Sequence, residues 1–161
     1  MKTEPSAFYA SGRPYIFFHD ATGDPRMSRA IDQAAATWNR KLGYAMLVET
    51  ANIPVKGITI TKDASLPHAG LATTCDSTSD GMGMNHCDTS TIKLNDVTVR
   101  IAAHEFGHTL GLAHTPIFHC STVMNGIGTK NYSTKDPACG FPSEPNIYEV
   151  SAVKRLYGVG S

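Results

Sequence analysis

Three stretches of the chain carry apolar residues at the spacing of an amphipathic helix. The first stretch presents one apolar face, formed by Met27, Ile31, Ala34, Trp38 and Leu42. Asp24 can cap this helix, Pro25 fits its first turn, and Gly43 can end it. The pattern predicts a helix of about five turns whose apolar face packs on a sheet rather than on a ligand.

The second helical pattern covers residues 97–110, with Asn95 or Asp96 as the candidate cap and Gly111 as the stop. The third pattern lies near the end of the chain and stops at Gly158. Its predicted apolar face consists of Ile147, Val150, Val153, Leu156 and Tyr157. Between these two helices, residues 115–145 are rich in Gly and Pro, which predicts mostly irregular structure.

Short runs of β-branched and aromatic residues predict five strands. The predicted strands cover residues 15–18, 45–49, 55–61, 70–74 and 91–94. Ile58 and Ile60 alternate with threonines, and Ile92 and Leu94 flank a lysine. Because successive side chains of a strand point to opposite faces, both pairs are expected to face the core.

The stretch between the last two strands, residues 75–90, is rich in Asp, Ser, Gly and Met. This composition predicts a solvated loop. Three of its acidic residues are candidate calcium ligands: Asp76, Asp80 and Asp88. Their spacing matches no EF-hand loop, so the sequence leaves a calcium ion open.

Length and charge narrow the class of protein. The 161 residues fit one domain, taken as residues 1–161. Fourteen basic and fourteen acidic residues cancel, so no overall field attracts nucleic acid or an anionic membrane. The chain has no apolar window long enough to span a membrane, and its N-terminus lacks the regions of a signal peptide. We expect a soluble monomer without its signal or pro-segment, with neither nucleic acid nor membrane as a partner.

The four cysteines predict two disulfides. No pair forms a C-x-x-C motif, which disfavours a zinc knuckle or a thioredoxin-like redox site. Of the three possible pairings we favour Cys75 with Cys87 and Cys120 with Cys139, because each closes a stretch that contains Gly or Pro. Paired cysteines indicate export. Four free, buried thiols in a cytosolic protein remain the alternative.

Residues 104–114 match the pattern H-E-x-x-H-x-x-G-x-x-H. On a helix, His104 and His108 lie about 40° apart on one face and one turn apart along it, so both imidazoles can reach one metal ion. Gly111 permits a positive φ, and the chain can then turn back and bring His114 to the same ion. Three neutral histidines leave a fourth position open, which is typical of a catalytic zinc site.

Glu105 points about 100° away from His104, so it lies beside the metal without being a ligand. From there its carboxylate can take a proton from the attacking water and deliver it to a leaving amine. No side-chain nucleophile is needed, and no acyl-enzyme is expected. The motif therefore predicts one catalytic Zn²⁺ ion and hydrolysis by zinc-activated water, with Glu105 as the general base.

The eleven-residue pattern is the signature of metzincin zinc peptidases, which this chain resembles. Residues 121–125 resemble the Met-turn of that class, and the likeness implies that Met124 lies beneath the zinc as a hydrophobic base. Residues 101–103 and 153–158 also resemble matrixin catalytic domains. The resemblance implies an α+β, metzincin-like zincin fold with a twisted mixed sheet of about five strands and two long helices. An N-terminal subdomain, 1–114, would contain the active-site helix, and a small irregular subdomain, 115–161, would end in a helix.

Two departures place the chain within the class. Matrixins have a segment that binds a structural zinc ion and calcium. The region around His68 and Gly70 does not reproduce that segment, so we expect one zinc ion. Snapalysin-like proteases bracket a Gly-rich region with two cysteines, as Cys120 and Cys139 do here, but they use Asp where this chain has His114. The best match is a small secreted bacterial metzincin resembling both matrixin catalytic domains and snapalysin.

The resemblance also implies a substrate, a protein or peptide that lies extended along an antiparallel edge strand. The edge residues would be Gly70, Leu71, Ala72 and Thr73. We predict a secreted metalloendopeptidase. One alternative is a catalytically inactive zinc-binding adhesion or toxin-like module. Glu105 argues against it, because a module that only binds zinc has no need of a carboxylate that is not a metal ligand. Another is a zinc hydrolase or hydratase for small molecules, against which the Met-turn and edge strand argue.

Overall fold

A mixed β-sheet forms the frame of the fold. The computed structural model describes residues 4–5, 8–10, 13–54, 56–79, 85–96, 98–115, 121–125 and 142–160. Within them the strands are β1 (Glu4–Pro5), β2 (Phe8–Ala10), β3 (Arg13–Asp20), β4 (Leu47–Glu49), β5 (Gly57–Lys62), β6 (Gly70–Ser79) and β7 (Asn85–Leu94). Strands β3 to β7 are the five that the sequence predicts, and β1 and β2 are short additions. The α+β prediction is confirmed.

Strand β6 lies at an edge of the sheet. Parallel pairing joins β4 to β3, β3 to β5 and β5 to β7, whereas β6 runs antiparallel to β7 from the pair Gly70 and Leu94 onward. Ile58, Ile60, Ile92 and Leu94 are all buried, so the predicted inward-facing pairs are confirmed. In the described part of the chain β6 pairs with β7 alone, which leaves its outer backbone groups open to another strand.

The loop predicted at residues 75–90 is wrong over most of its length. Strand β6 continues to Ser79, and β7 already begins at Asn85. A β-ladder satisfies the backbone groups of a polar segment as well as water does, so polar side chains did not prevent strand formation. Register shifts around Asp76 mark a β-bulge. The candidate calcium ligand Asp80 lies outside the described residues, so the question of a calcium ion stays open.

Helix α1 (Pro25–Leu42) packs its predicted apolar face into the core. The side chain of Asp24 caps it by accepting the Arg26 N–H at 3.0 Å. Gly43 ends it with a φ of 87°, a left-handed conformation that favours glycine. All five predicted face residues are buried: Met27, Ile31, Ala34, Trp38 and Leu42.

Helix α2 (Val99–Thr109) begins two residues later than the sequence predicts. Its cap is Thr98, whose Oγ1 accepts the Ile101 N–H at 3.1 Å, and not Asn95 or Asp96. The side-chain amide of Asn95 donates instead to the Leu66 carbonyl at 2.9 Å, in the segment between β5 and β6. The choice of cap depended on where β7 ends, which the local pattern did not show.

Helix α3 (Ile147–Leu156) is the last element. Val150, Val153 and Tyr157 are buried as predicted, but Ile147 is 74% exposed and Leu156 is 42% exposed. The predicted apolar face is therefore wrong at Ile147 and Leu156 and right at its other three positions. Among the described residues, no helix combines the length and the apolar character that crossing a membrane requires.

Candidate metal centre

The end of α2 is shaped to bring a third histidine back to the helix. Gly111 has a φ of 95°, and its N–H donates to the His108 carbonyl at 2.9 Å. The next N–H, from Leu112, donates to the Gly107 carbonyl at 2.9 Å. These two bonds form a Schellman motif, in which the left-handed residue reverses the chain. The predicted turn at Gly111 is thus present, and it carries His114 back toward His104 and His108.

The Nε2 atoms of the three histidines converge on one point. The Nε2 atoms of His104 and His108 lie 3.1 Å apart, those of His104 and His114 3.1 Å, and those of His108 and His114 3.0 Å. Zinc–nitrogen bonds of about 2.0–2.1 Å place tetrahedral ligands about 3.3 Å apart, close to these separations. The three side chains form a cluster that could hold one metal ion.

Hydrogen bonds at the opposite ring nitrogens direct lone pairs into this cluster. The Nδ1–H of His104 donates to the Val123 carbonyl at 2.7 Å, and the Nδ1–H of His108 donates to the Leu112 carbonyl at 2.9 Å. Each bond leaves Nε2 as the unprotonated nitrogen. Burial lowers the pKa of His104 to about 4 and also lowers the pKa of His108. Adjacent neutral nitrogens with converging lone pairs repel one another unless a cation lies between them, so the donor set fits zinc.

Glu105 lies beside the cluster and faces the edge strand. It is 5% exposed, and burial raises the pKa of its carboxyl to about 7, although a hydrogen bond from the backbone of Ala72 acts in the opposite direction. Gly70 packs so closely against it that a Cβ at that position would lie 2.7 Å from Glu105 Oε1. Leu71 and Thr73 are exposed. Alternate residues of β6 therefore face Glu105 and solvent.

Met124 lies under the helix that carries the histidines. It is 1% exposed, and its sulfur occupies the space beside Gly107, between His104 and His108 in the sequence. The Met124 carbonyl accepts the Thr115 N–H at 3.0 Å, which ties the turn to the segment just after His114. Its predicted role as a hydrophobic base fits this position and stays a prediction.

Three contacts of the site escaped the sequence reasoning. Met124 packs against Gly107, and Glu105 packs against Gly70, which no local pattern shows. In the third contact, the carboxylate of Glu149 in α3 accepts the Met124 N–H at 2.8 Å. The spacing of Asn146 and Glu149 is that of a capping box and could have identified the start of α3.

The predicted disulfides stay predictions. Cys120 and Cys139 lie outside the described residues. The backbones of Cys75 and Cys87 lie on the paired strands β6 and β7, where Cys87 is opposite Ser77, two residues from Cys75.

The fold and the three converging histidines resemble those of metzincin-type zinc peptidases. Across nearly its whole length the chain has the fold of high choriolytic enzyme 1, a hatching enzyme zinc-protease from the medaka fish Oryzias latipes, with a TM-score of 0.60 and 14% sequence identity. The match covers 96% of this chain and 94% of that one. At this identity the likeness shows the fold alone.

Within that class, residues 15–160 match the model of the Streptomyces extracellular neutral proteinase (M7) family, and the chain belongs to this family. It is 29% identical over 143 residues to the extracellular small neutral protease of Streptomyces lividans. The aligned residues make up 89% of this chain. The chain spans 57% of the length of that relative. The predicted placement among small bacterial metzincins is confirmed.

Proposed function

We propose that this chain is a secreted, zinc-dependent endopeptidase that hydrolyses peptide bonds of extended protein substrates. The observation that carries the proposal is the convergence of three Nε2 atoms within 3.1 Å of one another, next to a buried carboxylate that belongs to none of these contacts. The extracellular relative and family support secretion. We expect a monomer of one domain, residues 1–161, with the active-site helix in subdomain 1–114 and the Met-turn in subdomain 115–161.

His104, His108 and His114 would hold the ion through Nε2. When bound, zinc supplies Lewis acidity toward the scissile carbonyl and the attacking water. The carboxylate of Glu105 takes a proton from that water and later gives it to the leaving amine. The reaction forms no covalent bond to the protein.

The outer backbone groups of the edge strand β6 can pair with a substrate. An extended peptide can pair with the outer edge of β6, so that affinity comes from main-chain hydrogen bonds and selectivity from side-chain pockets. Gly70 and Ala72 face Glu105, whereas Leu71 and Thr73 face solvent. A peptide bond held along this strand therefore runs past the carboxylate that acts on it.

The decisive experiment compares wild type with Glu105→Ala in zinc-loaded, full-length protein. Casein and a peptide library serve as substrates, and atomic absorption measures bound zinc. We expect the variant to retain one zinc per chain and to lose about 10²–10⁴-fold in kcat/KM, the scale of general acid–base catalysis. Glu144→Ala, which removes an exposed glutamate of the same charge, is the matched control and should cleave like wild type.

Two results would contradict the proposal in different ways. Equal cleavage by wild type and Glu105→Ala would eliminate the mechanism. Stoichiometric zinc with no cleavage of any peptide by wild type would favour the catalytically inactive zinc-binding module instead.

A further inference from the structure

One peptide group links a buried carboxylate to a metal ligand. The carbonyl of the Val123–Met124 peptide accepts the Nδ1–H of His104 at 2.7 Å. The N–H of the same peptide donates to Oε1 of Glu149 at 2.8 Å. Glu149 is therefore connected to His104 through a single planar group, although the two residues lie on different helices.

Both oxygens of Glu149 act as acceptors. Oε2 accepts the backbone N–H of Asn146 at 2.8 Å, and the residue is only 5% exposed. Two N–H donors, one at each oxygen, are what an ionised carboxylate requires when it is buried. The bond to Asn146 belongs to an ordinary capping box. The bond to Met124 does not, because it reaches 25 positions back along the chain.

A negative charge at the N–H end of a peptide polarises it and makes its carbonyl oxygen a stronger acceptor. The hydrogen bond of His104 to Val123 is 2.7 Å long, whereas the corresponding bond of His108 to Leu112 is 2.9 Å. The shorter bond belongs to the peptide that contacts Glu149. Partners of this kind raise the basicity of a ligating histidine and fix the orientation of its ring.

We propose that Glu149 is a positioning residue for the metal centre, which it orients and strengthens through the Val123–Met124 peptide and the Nδ1–H of His104. This inference rests on the zinc site proposed above. It assigns Glu149 a function beyond fastening α3 to the Met-turn. A purely structural fastening would affect stability without any specific effect on His104.

Zinc affinity distinguishes the two roles. Glu149→Gln keeps the shape of the side chain and removes its charge. We expect about tenfold weaker zinc binding by chelator competition, at the lower end of the effect of outer-sphere partners. Glu144→Gln removes an exposed charge of the same helix-entry segment, and Asn146→Ala loosens the cap of α3 while retaining Glu149. Both controls should bind zinc within about twofold of wild type.

Histidine NMR tests the hydrogen-bond path directly. In zinc-loaded wild type, we expect the Nδ1–H proton of His104 to resonate downfield of that of His108. In Glu149→Gln the His104 resonance should move upfield while the His108 resonance stays. The wild-type comparison needs no variant, so it holds even if Glu149→Gln fails to fold.

Opposite results overturn the inference. These are the reverse order of the two resonances in wild type, unchanged zinc affinity in Glu149→Gln, or an equal loss in Asn146→Ala. If wild type binds zinc and cleaves casein while one of these is found, only the role of Glu149 fails. If wild type does not bind zinc, the proposed function itself fails.

Discussion

The sulfur of Met124 lies so close to Gly107 that a Cβ at position 107 would be 2.2 Å from it. Met124 is enclosed on its other sides, with 1% of its surface exposed, and cannot move away cheaply. Trp38 adds a second wall, 3.4 Å from the same Cβ position. The glycine in the middle of the metal-binding motif is thus required by a residue of the Met-turn.

Gly107→Ala should lower the free energy of unfolding by about 1–3 kcal/mol, the cost of overpacking a core. Helix propensity alone predicts the opposite sign, because Ala favours a helix interior over Gly by about 1 kcal/mol. Denaturant unfolding of the zinc-free protein measures the change. Met124→Ala opens space at the same place, so the double variant should be more stable than the sum of the single effects predicts. Strict additivity would show that the two residues do not compete for space.

Gly70→Ala should reduce cleavage without removing zinc. Its Cβ would lie 2.7 Å from Oε1 and 2.9 Å from Cγ of Glu105, so the carboxylate must move. A misplacement of about 1 Å in a reacting group costs about 100-fold in rate, and we expect a loss of this order in kcat. Steady-state kinetics on one peptide and zinc analysis measure the two effects. Gly160→Ala, where an added Cβ meets nothing within 4 Å, is the matched control, and equal kinetics in both variants would contradict the contact.

Zinc removal should destabilise the protein. An ion at about one hundred times its Kd stabilises the folded state by about 2.7 kcal/mol. A chelator should therefore lower the Tm of wild type but leave the Tm of His108→Ala unchanged, because that variant lacks one of the three converging nitrogens. His68→Ala removes an exposed histidine outside the cluster and should keep the full effect of the chelator. A chelator effect on His108→Ala equal to that on wild type would contradict the assigned site.

Glu49→Gln should stabilise the protein at pH 7 and not at pH 4. Glu49 lies at the surface, but partial desolvation, and then the nearby charges of Asp32 and Asp20, raise its pKa above the ordinary value. The folded state therefore binds this proton more tightly than the unfolded state, and the ionised form destabilises the fold above the raised pKa. The penalty is relieved as the pH falls through that value. Thermal melts at the two pH values measure the difference.

Asp24→Asn is a control that should change the stability at pH 7 in the opposite direction. A hydrogen bond with Lys62 and another from the Arg26 N–H lower the pKa of Asp24, so its charge stabilises the fold above its ordinary range. Asn remains a good helix cap. The substitution should lower the Tm at pH 7, with a smaller effect at low pH. A lower Tm for Glu49→Gln or a higher Tm for Asp24→Asn at pH 7 would contradict the corresponding assignment.

Local sequence determined the elements and the chemistry of the site. Helix α1 could be predicted from Asp24 to Gly43 because caps and apolar spacing act within one segment. The three ligands could be predicted for the same reason, since ten residues and one positive φ at Gly111 bring them together. Residues 75–90 were mistaken for a loop, because pairing with another strand decided their conformation and their own polarity did not.

The tertiary structure decided the contacts between segments that are distant in sequence. It placed Gly70 against Glu105, Met124 against Gly107, and Glu149 two hydrogen bonds away from His104. The reason is physical: spacing along a chain fixes angles around one helix or strand, whereas the distance between two elements follows from how the whole core packs. The sequence alone thus determined which residues can bind zinc, and the tertiary structure decided what holds them and Glu105 in place.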